Sequence, residues 1–161
     1  MNTRTTLAIA CIGLMAGATA AFADAGVKAT YKASAAELWQ AVDFHQPSEN
    51  IMPPIESSKR TGEGVGALKV NMLRGGGEVD LELVYYAPEQ HAFNYIIQAS
   101  PLPVKNYVGE VRVTDLGDGR SELSWQGVFQ ANGVSQEEAD KILGGFYEAI
   151  AAKIGETFPR E

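Results

Sequence analysis

The stretch Gly75-Gly76-Gly77-Glu78-Val79-Asp80-Leu81-Glu82-Leu83-Val84-Tyr85 decides the fold class. Its glycines make a turn, and from Val79 onward apolar residues fall on every second position, with Glu78, Asp80 and Glu82 between them. Successive side chains of a strand point to opposite faces, so this pattern gives one dry face and one wet face. That is the habit of an antiparallel sheet; a parallel sheet is buried on both sides. Leu68, Val70 and Met72 alternate in the same way before the turn, which predicts a hairpin with those residues and Val79, Leu81, Leu83 and Tyr85 on its dry side.

Downstream the period of two persists. Phe93, Tyr95 and Ile97 share a face, and Tyr107, Gly109, Val111 and Val113 oppose Val108, Glu110 and Arg112. Beyond the Gly117-Asp118-Gly119 turn, Leu123, Trp125, Gly127 and Phe129 oppose Ser124, Gln126 and Gln130. From Ile55 to Ala131 the chain therefore reads as a meander of about five or six strands with a single apolar face. After Ser135, a capping residue, the period changes: Glu137, Glu138 and Asp140 occupy a first helical turn, where acidic groups suit the helix dipole. Ala139, Ile142, Leu143, Phe146, Ile150, Ile154 and Phe158 then recur at spacings of three and four, which predicts a long amphipathic helix. The sheet's dry face needs a cover, and this helix is the element long enough to supply it.

Upstream, Val27, Ala29 and Tyr31 line one side of a short strand, Val27 to Lys32. Ser34 and Glu37 form a capping box for a helix whose apolar side carries Leu38, Trp39 and Val42. Asp43 to Pro54 is rich in Pro, Ser and Asn and reads as loop or broken helical turn. Earlier still, Arg4 precedes the apolar run Leu7 to Met15, the small residues Ala16 to Ala21 and the triplet Ala21-Phe22-Ala23. This order predicts a signal peptide over residues 1–23, cleaved after Ala23, and a single domain over 24–161 that is periplasmic or secreted, with no transmembrane span left after cleavage. Cleavage takes Arg4 and Cys11 with it, so the formal charge moves from −7 to −8 and no disulfide is available. So acidic a surface repels phosphate backbones, and nucleic acid is excluded as a partner.

The order of elements and several local stretches resemble the polyketide cyclase and dehydrase branch of the START-like, pollen-allergen-like superfamily known as SRPBCC. The stretches are Ser34-Ala35-Ala36-Glu37-Leu38-Trp39, Gly64-Val65-Gly66-Ala67-Leu68, Glu82-Leu83-Val84-Tyr85-Tyr86-Ala87-Pro88 and Ser100-Pro101-Leu102-Pro103-Val104-Lys105-Asn106-Tyr107, with Ser124-Trp125 and the last helix. Two departures, Ala87 in place of a common acidic residue and the displacement to Lys69 of the basic residue often found near Leu68, remove polar groups that an enzymatic reading would use. The resemblance implies an α+β helix-grip fold, a curved antiparallel sheet wrapped around the long C-terminal helix, with a ligand cavity between them.

The residues that the resemblance would place around an apolar or aromatic small molecule are Leu68, Val70, Leu81 and Leu83 from the first hairpin, with Tyr85 at its end. Tyr95, Ile97, Tyr107, Val111, Trp125 and Phe129 follow from the later strands, and Phe146 and Ile150 from the helix. Each aliphatic position has a competing reading as solid core. A buried tyrosine hydroxyl or indole N–H needs a hydrogen-bond partner, and for Tyr85, Tyr95, Tyr107 and Trp125 a ligand is one candidate. Gly144-Gly145, costly inside a helix, reads as a notch facing the cavity, or as close packing of helix on sheet or a slight kink. Pro101 and Pro103 break the strand pattern and mark Ser100 to Asn106 as an entrance or partner surface.

The chemistry of known catalytic motifs is not assembled in the sequence. His45 and His91 lack metal-ligand spacing with any partner, and no Gly-x-Ser-x-Gly elbow occurs. Gly62 to Gly66 lacks the lysine of a phosphate loop, and Asp80, Glu82, Glu110 and Arg112 fall on the wet face. No metal, cofactor or catalytic residue is expected, and the first reading is a noncatalytic carrier of a small apolar or aromatic ligand. Two others stand beside it. The resemblance extends to a small periplasmic accessory protein of a methanol dehydrogenase system, which implies a periplasmic protein partner. It also extends to cyclase- or dehydratase-type enzymes, in which Tyr85, Tyr95 or Tyr107 would polarise a carbonyl.

Overall fold

The computed structural model describes residues 23–161, so the predicted signal peptide lies outside the described residues apart from Ala23. Strand β1 (Ala23–Tyr31) is followed by helix α1 (Ala35–Val42), a 3₁₀ turn at Ser48–Asn50, and strands β2 (Ile55–Thr61), β3 (Leu68–Leu73) and β4 (Glu78–Ala87). Strands β5 (Ala92–Ala99), β6 (Val104–Gly117) and β7 (Arg120–Ala131) and helix α2 (Gln136–Gly155) complete the chain. All strands join one antiparallel sheet in the order β1-β7-β6-β5-β4-β3-β2. The meander thus runs from β2 to β7, and β1 returns across the molecule to pair with β7 at the far edge.

Register shifts interrupt the ladders at Ile55/Ser57, Asp80/Leu81, Leu83/Tyr85, Lys105/Val108 and Asp115/Gly117. Each extra residue bends its strand and sharpens the local twist. The sheet consequently curves, and α2 sits in its hollow, which is the helix-grip architecture the resemblance implied. The capping box at Ser34 is complete: Glu37 N donates to Ser34 Oγ, and Ser34 N donates to the Glu37 carboxylate. Ser135 caps α2 by accepting from Glu138 N.

Helix α2 packs chiefly over β1 and β7. The Tyr31 hydroxyl donates to Ala151 O at 2.9 Å in the buried interface, and Tyr147, Ile150, Ala151 and Ile154 are fully enclosed. The chain end closes on the same edge, where Lys32 N donates to Pro159 O and Glu161 N donates to Thr30 O. Because α2 is seated toward β1 and β7, its other flank stands off from β3, β4 and β5. That offset leaves the cavity described below.

Four residues expected on the dry face, Leu68, Val70, Met72 and Tyr85, are not there. On β3 the alternation is real but its sign is inverted. Leu68 is 44 % exposed and Val70 half-buried on the outer face, with Met72 beside them, while Lys69 and Asn71 turn inward and are buried. A period of two does not say which face is inside. Here the inner face of β3 lies against the segment after α1, where Lys69 Nζ donates to Gln46 O at 2.8 Å and rests 4.7 Å from the centre of the Phe44 ring. On β4 the shift between Leu83 and Tyr85 makes Val84 an extra residue, so Tyr85 emerges outward and 43 % exposed, and Tyr86 turns in to donate to Asp43 Oδ2. Asp80, expected to be solvated, is half-buried on the outer face with Oδ1 enclosed and unpartnered.

Candidate functional site

Between the inner face of the sheet and the outer flank of α2 lies a cavity of about 510 Å³. Pockets that take drug-sized molecules hold roughly 300–1,000 Å³, so the space suffices for one small organic ligand. Its floor is aliphatic: Ile55 from β2, Leu73 from β3, Val79 and Leu81 from β4, and Ile97 from β5. Its roof is Ile142, Leu143, Phe146 and Ala149 of α2. The mouth is framed by Arg74, Gly75 and Gly76 at the β3–β4 turn and by Leu102 in the proline-bent loop before β6. The loop and the turn touch closely, since a Cβ on Gly77, which has φ +96°, would lie 3.3 Å from Pro101 Cγ.

The predicted residues divide into groups. Leu81, Tyr95, Ile97, Tyr107 and Phe146 stand on the cavity wall. Leu83, Val111, Trp125, Phe129 and Ile150 are buried in the solid core behind it, between sheet, α1 and the C-terminal half of α2. Leu68, Val70 and Tyr85 face away. Sequence reasoning missed Asn71, Arg74 and Leu102 on the wall, and Tyr147 in the core. Asn71 was hidden by the inverted face of β3, and Arg74 lies past the end of that strand, at the turn. Tyr147 has the helical spacing of Leu143 and Ile150 but was passed over beside Phe146. Gly145 lines the cavity with no neighbour within 4 Å of an added Cβ, and so is Gly144 free of neighbours; close packing is excluded, and Gly145 is the notch.

One wall carries a polar chain. Trp125 Nε1 donates to Tyr95 Oη at 3.1 Å, Tyr95 and Tyr107 share a hydrogen bond of 3.1 Å, and Tyr107 and Tyr147 share another. Room for the rings comes from glycines on the strands beneath. A Cβ on Gly127 would lie 2.5 Å from both the Tyr107 and Tyr147 hydroxyls, and one on Gly109 would run into the Tyr95 ring. Burial pushes all three hydroxyls above the ordinary tyrosine pKa, so they stay protonated at neutral pH. The Tyr147 hydroxyl also lies within hydrogen-bonding reach of Tyr95, so the indole N–H and the three hydroxyls find partners within their own cluster.

Asn71 is the isolated polar group of the aliphatic wall. It is 3 % exposed, and its Oδ1 is buried without a hydrogen-bond partner. Arg74 is the charged residue of the lining and lies at the mouth, where its Nε donates to Pro53 O. The histidines are elsewhere: His45 bonds Asp43, and His91 packs against the Trp39 ring. No carboxylate or imidazole of the described residues lines the cavity, and no three His, Cys, Asp or Glu side chains converge on a metal geometry among them. Among the described residues no helix is long and apolar enough to cross a membrane.

Residues 23–158 match the family described as polyketide cyclase / dehydrase and lipid transport. No curated protein matches the chain significantly. Among solved structures, the protein XoxI from Bacillus cereus superposes with a TM-score of 0.78 at 24% identity, over 84% of this chain and 95% of that one. The Zhui aromatase/cyclase from a Streptomyces species gives 0.66 at 18% identity, over 83% and 88%. A point mutant of norcoclaurine synthase from Thalictrum flavum, in complex with a transition-state analogue, gives 0.65 at 16% identity, over 88% and 96%. At these identities the likeness is one of fold.

Proposed function

Since the chain belongs to the polyketide cyclase / dehydrase and lipid transport family, whose members bind hydrophobic ligands, we propose that it is a periplasmic or secreted carrier of one apolar or aromatic small molecule, held in the sheet–helix cavity without being transformed. The observation that carries this reading is the 510 Å³ cavity itself, walled by aliphatic and aromatic side chains on both layers. Removing a ligand's apolar surface from water there contributes about 25 cal/mol for each Å² buried. A cyclase- or dehydratase-type reaction needs a proton acceptor beside the ligand, and His45 and His91 are engaged away from the wall. The export half of the proposal rests on Arg4, the apolar run and Ala21-Phe22-Ala23.

The test is a titration with the neutral fluorescent probe N-phenyl-1-naphthylamine, comparing the natural protein with Gly145→Phe. The added ring has space at the notch and projects from the roof into the cavity, so probe affinity should fall at least tenfold while the melting temperature holds. Unchanged binding would mean that apolar molecules settle somewhere else. Fractionation of cells making the full chain should find it, shortened, outside the cytoplasm; retention in the cytoplasm would remove the export half.

A further inference from the structure

The cavity wall carries one feature that a purely apolar ligand leaves unmet. Asn71 points from the inner face of β3 into a surround of Ile55, Leu73, Val79 and Leu81, and its Oδ1 has no partner there. Rotating the carboxamide exchanges acceptor for donor and leaves one of them in the same dry position. Backbone pairing does not require an asparagine, since β3 bonds to β2 and β4 through main-chain atoms. A leucine of similar size would fill the site with no polar group to desolvate. Lys69, next but one on the strand, is directed to Gln46 O and Ser48, so it supplies nothing to the amide.

We propose that Asn71 selects ligands that carry a neutral hydroxyl, an alcohol or phenol on an aromatic or alicyclic frame, and rejects the equivalent hydrocarbon. This rests on the carrier reading above. The enclosed Oδ1 gains a partner only when the carboxamide turns toward the cavity, where water meets it in the absence of ligand. A hydrocarbon that displaces the water strands a buried polar group, whereas a hydroxylated ligand replaces the bond it removes. A carboxylate suits Asn71 less well, because Arg74, the cation of the lining, lies at the mouth.

The experiment compares 4-phenylphenol with 4-methylbiphenyl, which have nearly the same shape, by competition against N-phenyl-1-naphthylamine. Partition from water favours the methyl compound, so any preference for the phenol reports a hydrogen bond. The natural protein should bind the phenol about tenfold more tightly. Asn71→Leu should reverse the order, weakening the phenol and tightening the hydrocarbon, and should melt no lower than the natural protein. Asn71→Val, better suited to a strand, provides the same comparison if leucine packs poorly. A phenol preference that survives both substitutions would assign it to the tyrosines and overturn the proposal. Equal binding of both biphenyls would overturn it while leaving the carrier reading intact. Binding of neither would remove both.

Discussion

Gly109→Ala asks whether the Tyr95 ring occupies the space that the missing side chain leaves. A Cβ at position 109 would stand 2.7 Å from Tyr95 Oη and closer still to Cε1 and Cζ, well inside van der Waals contact. The ring's one open side is the cavity, and moving there breaks the hydrogen bonds of its hydroxyl. Trp125 and Tyr107 hold its hydroxyl, and the Phe93 and Tyr107 rings stand 6.0 and 5.8 Å away by centroid. Overpacking of this kind costs about 1–3 kcal/mol, and complete expulsion of an aromatic ring about 3–5 kcal/mol. An intermediate cost of about 3 kcal/mol lowers the melting temperature by roughly 10 °C in a domain of this size. In a Tyr95→Val background the offending atoms are gone, and alanine then gains about 0.5 kcal/mol over glycine in a strand. Urea denaturation of the natural protein, both single variants and the double variant, followed by tryptophan fluorescence, should give a coupling of about 3 kcal/mol with a change of sign. If Gly109→Ala cost the same in both backgrounds, the ring would not be what the glycine accommodates.

Burial pushes the Lys69 ammonium down to about 8 from its usual 10.5, so between those values the unfolded chain binds more protons and stability rises with pH. The natural protein should gain about 2 kcal/mol over Lys69→Met from pH 8 to 10, and parallel curves would refute the assignment. Above pH 10 the slope should reverse, because Tyr31, Tyr95, Tyr107 and Tyr147 have raised values and the folded state keeps hydrogens that the unfolded chain releases. Tyr31→Phe removes the bond to Ala151 O and should cost about 1 kcal/mol in the same denaturation assay, with no effect on probe binding; an undiminished stability would show the bond to be dispensable.

The alternation of β5, β6 and β7 was legible because their inner positions are uniformly large and apolar or glycine, and the terminal helix because its spacing is helical throughout. The capping boundaries followed from Ser34 and Ser135. Two errors share one cause: period-two reasoning assigns faces only up to a sign and only between bulges. On β3 the sign depended on a lysine serving a carbonyl and a hydroxyl in a loop more than twenty residues upstream, and on β4 a single extra residue at Val84 turned Tyr85 outward. The cavity wall was half legible for the same reason. Leu81, Tyr95, Ile97, Tyr107 and Phe146 could be named from pattern, but their distinction from Leu83 and Trp125 depends on where α2 rests along the hollow. That is fixed by contacts to β1 and β7, which local periodicity does not encode.

The pairing of β1 with β7 also sets an order in time. When the chain is made or threaded through a membrane from its N-terminus, Val27 and Tyr31 emerge long before Trp125 and Ser121, the residues they will face. The first strand must therefore wait, unpaired, while the hairpins from β2 onward assemble from neighbours already present. Closure comes last, when β7 arrives and Pro159 to Glu161 zip onto residues 30–32. Contacts so distant in sequence are slow to form. Until then the unpaired N–H and C=O groups of the first strand are an open edge for wrong partners.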